Sequence, residues 1–337
     1  MKTSFYSMLL MLLISISIFS GCKQEKPIVG ILIHSHDDKD KNYLVENLTR
    51  MGTEVLLREA DSNQEKQIQQ ARDMVKSGAK VLIIVSINQE ESAQITEFAH
   101  KENVQVIAYD RLIDGCQLDY YVSANSLDYY ISTNSKKIGE LQALYLTSLS
   151  PTGTYALICG SRYDNNSMRF FNGQMNVLQS YMEKGDIQVV YSEFTDDWSE
   201  AQGSIHANEI LDQFPDITAI IAGSDEIAKG VISTLKERGL EGKVMVAGQN
   251  AELENIRSIM SGNQTCTVLK PLKEMAEVTA EIAASIAFNR PMKVNFTTES
   301  NGKALIKSVM IDATVVNKNN IETTILASGY YTSSQIN

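Results

Sequence analysis

The sequence predicts an α/β protein built as two doubly wound lobes, each a parallel sheet covered by helices on both faces. Two observations carry that prediction. Short β-branched runs recur at regular intervals with helix-like stretches between them, and near-continuously apolar strands alternating with amphipathic helices mean parallel sheets buried on both sides. The chain of 337 residues also exceeds one comfortable core, so two domains are the default. The runs are too few for one closed eight-strand barrel.

Before the first strand, Lys2 precedes an apolar run from Met8 to Phe19, "MLLMLLISISIF". It is too short to span a bilayer comfortably and suits the core of an export signal. Small residues then lead into Cys22 in "FSGC". This motif resembles the lipobox of bacterial lipoproteins, with Phe19 where that pattern usually has Leu. The resemblance implies that residues 1–21 are a removed signal and that Cys22 carries lipid. Residues 22–26 form a tether, short at ~3.5 Å per residue.

The strand runs follow in order: "PIVGILI", "KVLIIVS", "VQVIAY", "TYALICG", "ITAIIAG" and "KVMVAG". Between the first two lies "SNQEKQIQQARDMVKSGAK", where Ile68, Ala71 and Val75 recur at helical spacing. Ser62 and Glu65 form a candidate capping box, and Gly78 is a natural C-terminal stop. Cys116, Cys159 and Cys266 are odd in number and widely spaced, against a disulfide framework or a zinc site. Cys159 sits in an apolar run and reads as a small buried hydrophobe.

Charge narrows the partners. With Lys2 removed, 30 − 1 = 29 basic residues face 41 acidic ones, a net charge of 29 − 41 = −12. Nucleic acid and anionic headgroups are poor partners for such a surface.

Doubly wound sheets bind ligands beyond the C-terminal ends of their strands. Enzyme signatures are missing there: the sequence has no G-x-S-x-G, P-loop, G-x-G-x-x-G or H-E-x-x-H. His34 and His36 could share a strand face, but no third metal ligand follows at a recognisable spacing. The strand ends hold polar clusters instead. "VQVIAY" delivers Asp110 and Arg111; "TYALICG" delivers Asp164, Asn165 and Asn166; "VVYSEFTDDW" ends at Trp198, the only tryptophan. "ITAIIAG" delivers Ser224 and Asp225, "KVMVAG" delivers Gln249 and Asn250, and "TCTVL" delivers Lys270. Carboxylates, amides and a guanidinium fork can pair with every hydroxyl of a sugar, and a flat aromatic covers its C–H face. Helix N-capping would explain any one cluster. It explains neither Asp-Arg, nor the lone Trp, nor all six together.

"AYDRLI", "KIGELQA", "GSRYDNNS", "GQMNVL", "VAGQNAELENIRSI", "GNQTCTVLKPL" and "VNKNNI" follow one another. In this order they resemble the D-xylose-binding periplasmic proteins of sugar ABC transporters, from about residue 28 to about residue 328. The resemblance implies the type I periplasmic binding protein fold, two Rossmann-like lobes joined by a three-segment hinge and closing over one pyranose. It implies lobes of 27–136 plus 271–302 and of 137–270 plus 303–330. It also implies sugar-binding roles for Asp110, Arg111, Asp164, Asn166, Trp198, Asp225 and Lys270, with Ser224 and Asn250 at further ligand positions. Ser224 stands where the family has Asn, and Asn250 where it has Asp. After the first strand "HSHDDKDKNY" lacks the family's Arg and Trp. Losing hydrogen-bond partners can change sugar preference by orders of magnitude, so the resemblance supports sugar binding better than it supports xylose itself.

One stretch is duplicated. Residues 118–135 read "LDYYVSANSLDYYISTNS", nine residues twice with only Val122→Ile131 and Ala124→Thr133 changed. The second copy runs directly into "KKIGELQA" and holds the family's register in the first crossing strand. The first copy, 118–126, is extra chain with the alternation of an edge strand.

The expected function is a lipid-anchored, monomeric binding module that captures a monosaccharide by hinge closure. Its membrane partner is an ABC permease or, alternatively, a sensor-kinase ectodomain. It needs no cofactor and no metal, and the lipid is its only membrane contact. A repressor with the same core would need a helix-turn-helix and a basic face. An enzyme would need a general acid, whereas Asp110 beside Arg111 favours a permanently ionised carboxylate.

Overall fold

The computed structural model describes residues 25–34, 40–113, 127–162 and 164–336. The signal and Cys22, His36, Cys116 and the first repeat copy lie outside the described residues.

The chain enters the larger lobe through β1 (Ile28–Ile33), α1 (Asp40–Arg50), β2 (Glu54–Glu59), α2 (Gln64–Lys76), β3 (Ala79–Ile84), α3 (Ala93–Lys101), β4 (Gln105–Tyr109) and β5 (Tyr129–Thr133). It builds the smaller lobe with α4 (Ser135–Leu149), β6 (Gly153–Ser161), α5 (Asn165–Lys184), β7 (Ile187–Thr195), α6 (Glu200–Gln213), β8 (Ala219–Ala222), α7 (Asp225–Glu237), β9 (Met245–Ala247), α8 (Leu253–Ser261) and β10 (Thr267–Leu269). Then α9 (Leu272–Ala287), β11 (Thr297–Ser300) and β12 (Leu305–Ile311) return to the first lobe. After β13 (Thr314–Val316), a π-helical turn (Glu322–Leu326) and α10 (Ser333–Ile336) close the chain on the second.

The large sheet runs β11-β12-β5-β4-β3-β1-β2 and the small one β7-β6-β8-β9. Within these two sheets all neighbours are parallel except β11 on β12, and β10 and β13 form a separate antiparallel pair. Apolar side chains cover both faces of each sheet, which is why the strands read as unbroken apolar runs. Leu32 and Ile33 are consecutive in β1, and each is fully or almost fully buried on its own face. The predicted α/β fold with doubly wound lobes is the observed one.

Three local readings differ. The cap of α2 is Asn63, whose side chain accepts from the Lys66 N–H, while Ser62 lies in the left-handed region at φ 57°. The tight turn at Asp61–Ser62 rotates the serine away from the helix start. The first crossing falls at Asn134, between β5 and α4, close to the expected 136/137 boundary. The third falls at Asp312, not at 303: β12 pairs with β5 along Lys307–Ile311, so it extends the large sheet. Once β5 is central, its free edge needs a strand, and the alternating burial of β12 supplies one.

The second repeat copy is β5 itself, buried from Tyr129 to Thr133 between β4 and β12. Its register is pinned just ahead of the strand. Asp128 Oδ2 accepts from the Val106 N–H at 2.7 Å and meets His100 Nε2 at 2.8 Å. At the other end Asn134 caps α4 by accepting from the Lys137 N–H at 3.0 Å.

Candidate binding cleft

The strand ends of the two lobes face each other across a cleft of about 240 Å³. That is below the ~300–1,000 Å³ of most small-molecule pockets, and it suits one small ring. Asp110, Arg111, Asp164, Asn166, Trp198, Ser224, Asn250 and Lys270 all line it.

Asp110 follows β4 with φ 61°, a left-handed conformation uncommon outside glycine. Its N–H donates to the Ile131 carbonyl, and its own carbonyl accepts from Tyr130 Oη at 3.1 Å and Ser132 Oγ at 2.9 Å. The repeat copy in β5 therefore holds this unusual backbone in place. Lys270 Nζ, from the second crossing segment, donates to Asp110 Oδ1 at 2.7 Å. Burial pushes the Asp110 carboxyl up, but the charge and hydrogen bond of Lys270, with Arg111 and His34 nearby, hold it below the usual carboxylate range. It is an ionised acceptor, as an enzyme's general acid would not be.

Arg111 lies against the smaller lobe: its Nε is 3.3 Å from Asp164 Oδ2, while Nη1 donates to the Ser86 carbonyl at 3.2 Å. Asp164 also caps α5, accepting from the Asn166 N–H at 2.9 Å. Asn166 Oδ1 accepts from Ser135 Oγ at 2.9 Å, which fixes its amide at the cleft wall. Capping and cleft lining are thus combined in one residue.

Trp198 rests on Gly160: a Cβ there would stand 1.9 Å from the indole ring. Phe170 meets it edge-on at 6.3 Å, and both aromatics line the cleft. Only glycine lets the ring lie this close to β6.

The chain matches the family described as periplasmic binding protein domain over residues 31–291. It is 36% identical over 299 residues to the D-xylose-binding periplasmic protein of Escherichia coli (strain K12), covering 88% of each chain. It is 34% identical to the protein of the same name in Haemophilus influenzae, covering 98% of each. The chain belongs to the periplasmic binding proteins. The two relatives are both D-xylose-binding periplasmic proteins, and a multiple sugar-binding periplasmic protein of Azospirillum brasilense is 30% identical, covering 93% of this chain. Among solved structures, a solute-binding protein from Clostridium phytofermentans with bound β-D-glucose superposes with a TM-score of 0.81 at 24% identity, covering 92% of this chain and 100% of that one.

In this periplasmic binding protein one expected site residue turns away from the cleft. Asp225 is fully buried and does not line it. Its Oδ2 accepts from the Glu252 N–H and Thr267 Oγ1, each at 2.9 Å, and its Oδ1 from Gln264 Nε2 at 3.0 Å. Burial still raises its carboxyl to about 6 despite these donors. Ser224 spends its hydroxyl on the Ile227 N–H at 3.2 Å as the cap of α7, and the helix start carries Asp225 inward. Asp225 is a positioning residue that ties α7 to the loop carrying Asn250.

The cleft also takes Phe170, Glu226, Gln249, Glu252 and Tyr330. Gln249 stood in view at a strand end. Glu226 directly follows the Ser224–Asp225 cluster in the first turn of α7, whereas Phe170 lies inside α5 and Tyr330 in the C-terminal tail, where no strand end marks them.

Proposed function

We propose that this protein captures one monosaccharide, xylose or a related pentose or hexose, between its lobes and presents it to an ABC permease. It does so while held at the periplasmic face of a membrane by lipid on Cys22. The observation that carries the reading is the alternation of fixed acceptors and donors, Asp110–Lys270 and Arg111–Asp164, across a cleft with an indole on its wall. Ionised acceptors take sugar O–H groups, cationic donors serve the ring and hydroxyl oxygens, and Trp198 covers an apolar C–H face. Because Arg111 and Asp164 belong to different lobes, the constellation is complete only when the lobes meet. Closure then creates the surface that the membrane partner recognises. A sensor-kinase ectodomain could read the same surface, and stimulation of a reconstituted permease ATPase by the loaded protein separates the two.

A thermal-shift screen against aldopentoses, hexoses and ketoses tests the capture. Sugar at a hundredfold excess over Kd should stabilise by about 2.7 kcal/mol, and a flat response to all of them would sink the reading. Radiolabelled fatty acid should appear on the wild-type protein and not on Cys22→Ser.

A further inference from the structure

The tail after β13 belongs to neither sheet, yet it reaches the cleft. It is held by a core of its own in which Ile321, Ile325, Tyr331 and Ile336 pack with Ile256 and Ile259 of α8. Gly329 turns the chain in the left-handed region at φ 72°, and the Tyr330 N–H donates back to the Ile325 carbonyl at 3.0 Å. This turn presents Tyr330 to the cleft with its ring edge-on to Tyr331 at 5.0 Å. Its hydroxyl donates to the Asn250 carbonyl at 3.3 Å. Asn250 itself has φ 113° and Ala251 φ 53°, so the hydrogen bond braces a backbone that L-residues rarely adopt.

We propose that Tyr330 is a specificity-determining residue of the sugar site, its ring filling the end of the cleft beside Asn250 and excluding sugars that carry a bulky exocyclic group there. The inference rests on the monosaccharide reading above. Three observations carry it. The cleft is small, at about 240 Å³, so one ring-sized wall decides what fits. The tail is fixed by its own core, so the ring cannot swing aside cheaply. And Tyr330 is hydrogen-bonded to the Asn250 carbonyl, just after β9 of the smaller lobe, while Asp110 and Arg111 follow β4 of the larger one. A sugar held by Asp110 and its cations therefore meets Tyr330 at a separate part of the wall, where an added hydroxymethyl group would need space.

Calorimetry on the full mature protein with D-xylose and D-glucose tests this. The ratio of glucose to xylose affinity should rise roughly tenfold or more in Tyr330→Ala, the scale on which a pocket discriminates one added group. In Tyr330→Phe, which keeps the ring, the ratio should stay within about twofold of wild type. A purely structural role would weaken both sugars together and leave the ratio unmoved, which overturns the proposal. Tyr330→Leu, which retains apolar contact with Tyr331, gives the same readout should the alanine variant fail to fold. Where the screen finds another pentose, that pentose and its hydroxymethyl homologue replace xylose and glucose; failure of the wild-type protein to bind any sugar of the screen would instead overturn the sugar reading, and this inference with it.

Discussion

Arg111 and Asp164 lie on opposite lobes, and their side chains meet at 3.3 Å with only 17% and 9% of each exposed. Among the described residues, two further cross-lobe contacts share its character. Gln89 Oε1 accepts from the Asn165 N–H at 3.2 Å, and Arg169 faces Glu299 at 3.6 Å. All three engage the start of α5. Helix α5 is therefore where the two lobes touch, and Asp164 connects that contact to the cleft.

Arg111→Ala should weaken sugar binding by roughly 2–3 kcal/mol, the scale of a hydrogen bond to a charged group, or about a hundredfold in Kd. It leaves Asp164 without its cation in a mostly buried position, so closure suffers along with affinity. Small-angle scattering should find the sugar-bound variant more extended than sugar-bound wild type. Unchanged affinity and unchanged dimensions together would remove Arg111 from the site.

Gly160→Ala should displace Trp198, because the new methyl group would stand 1.9 Å from the indole. Overpacking of this kind costs about 1–3 kcal/mol of stability. Sugar binding should weaken as the stacking surface tilts. Trp198 is the only tryptophan among 14 tyrosines, so fluorescence excited selectively at the red edge of indole absorption reports on it alone. The variant should show a shifted emission maximum and a reduced response to sugar; a wild-type spectrum and titration would contradict this packing.

Asp225 makes stability depend on pH in an unusual direction. Its folded-state carboxyl is raised to about 6 from 3.8, so the folded protein binds the proton more tightly than the unfolded chain does. The resulting stabilisation is fully present below 3.8 and is lost as pH rises through 6. From pH 5 to pH 7 this contribution should fall by ~1 kcal/mol. Asp110, whose carboxyl is lowered from 3.8, acts below that pH and outside the window. Chemical denaturation at the two pH values should show the slope in wild type and a flatter one in Asp225→Asn. An equal slope in both would place the titration elsewhere.

The same residue marks how far the sequence could be read. Strands announced themselves because both faces of each sheet are buried, and β-branched runs have few other uses. Asp110, Arg111 and Trp198 were legible because no capping role accounts for an Asp-Arg pair or a lone indole. Asp225 was not, since Ser-Asp at a strand end reads identically whether the carboxylate faces the cleft or the protein. The choice is made by Thr267 and Gln264, which are some forty residues away in sequence and donate to it from behind. Tyr330 and β12 were missed for a related reason. Their placement depends on which sheet edge or cleft end is left open by the rest of the chain, and no local periodicity encodes that.

The duplication allows a test in which two deletions give almost the same protein. Removing 118–126 joins "DGCQ" to "LDYYISTNSKK", and removing 127–135 joins it to "LDYYVSANSKK". The anchors that fix β5 are Asp128, Tyr130, Ser132 and Asn134, and the first copy repeats each of them as Asp119, Tyr121, Ser123 and Asn125. Either product can therefore build the strand, brace Asp110 and cap α4. Loop length itself matters little, because closure entropy varies only with its logarithm. The two products differ by Val for Ile131 and Ala for Thr133, both buried in the parent. An Ile→Val change in a core costs about 0.5–1.5 kcal/mol. Thr133 Oγ1 has no hydrogen-bond partner among the described residues, so its loss should add little. The 118–126 deletion should thus match the parent in stability and sugar affinity, with the 127–135 deletion about 1 kcal/mol less stable and equally able to bind. Urea denaturation with parallel calorimetry decides it. A loss of more than about 2 kcal/mol in the 118–126 deletion would mean that the first copy is part of the fold.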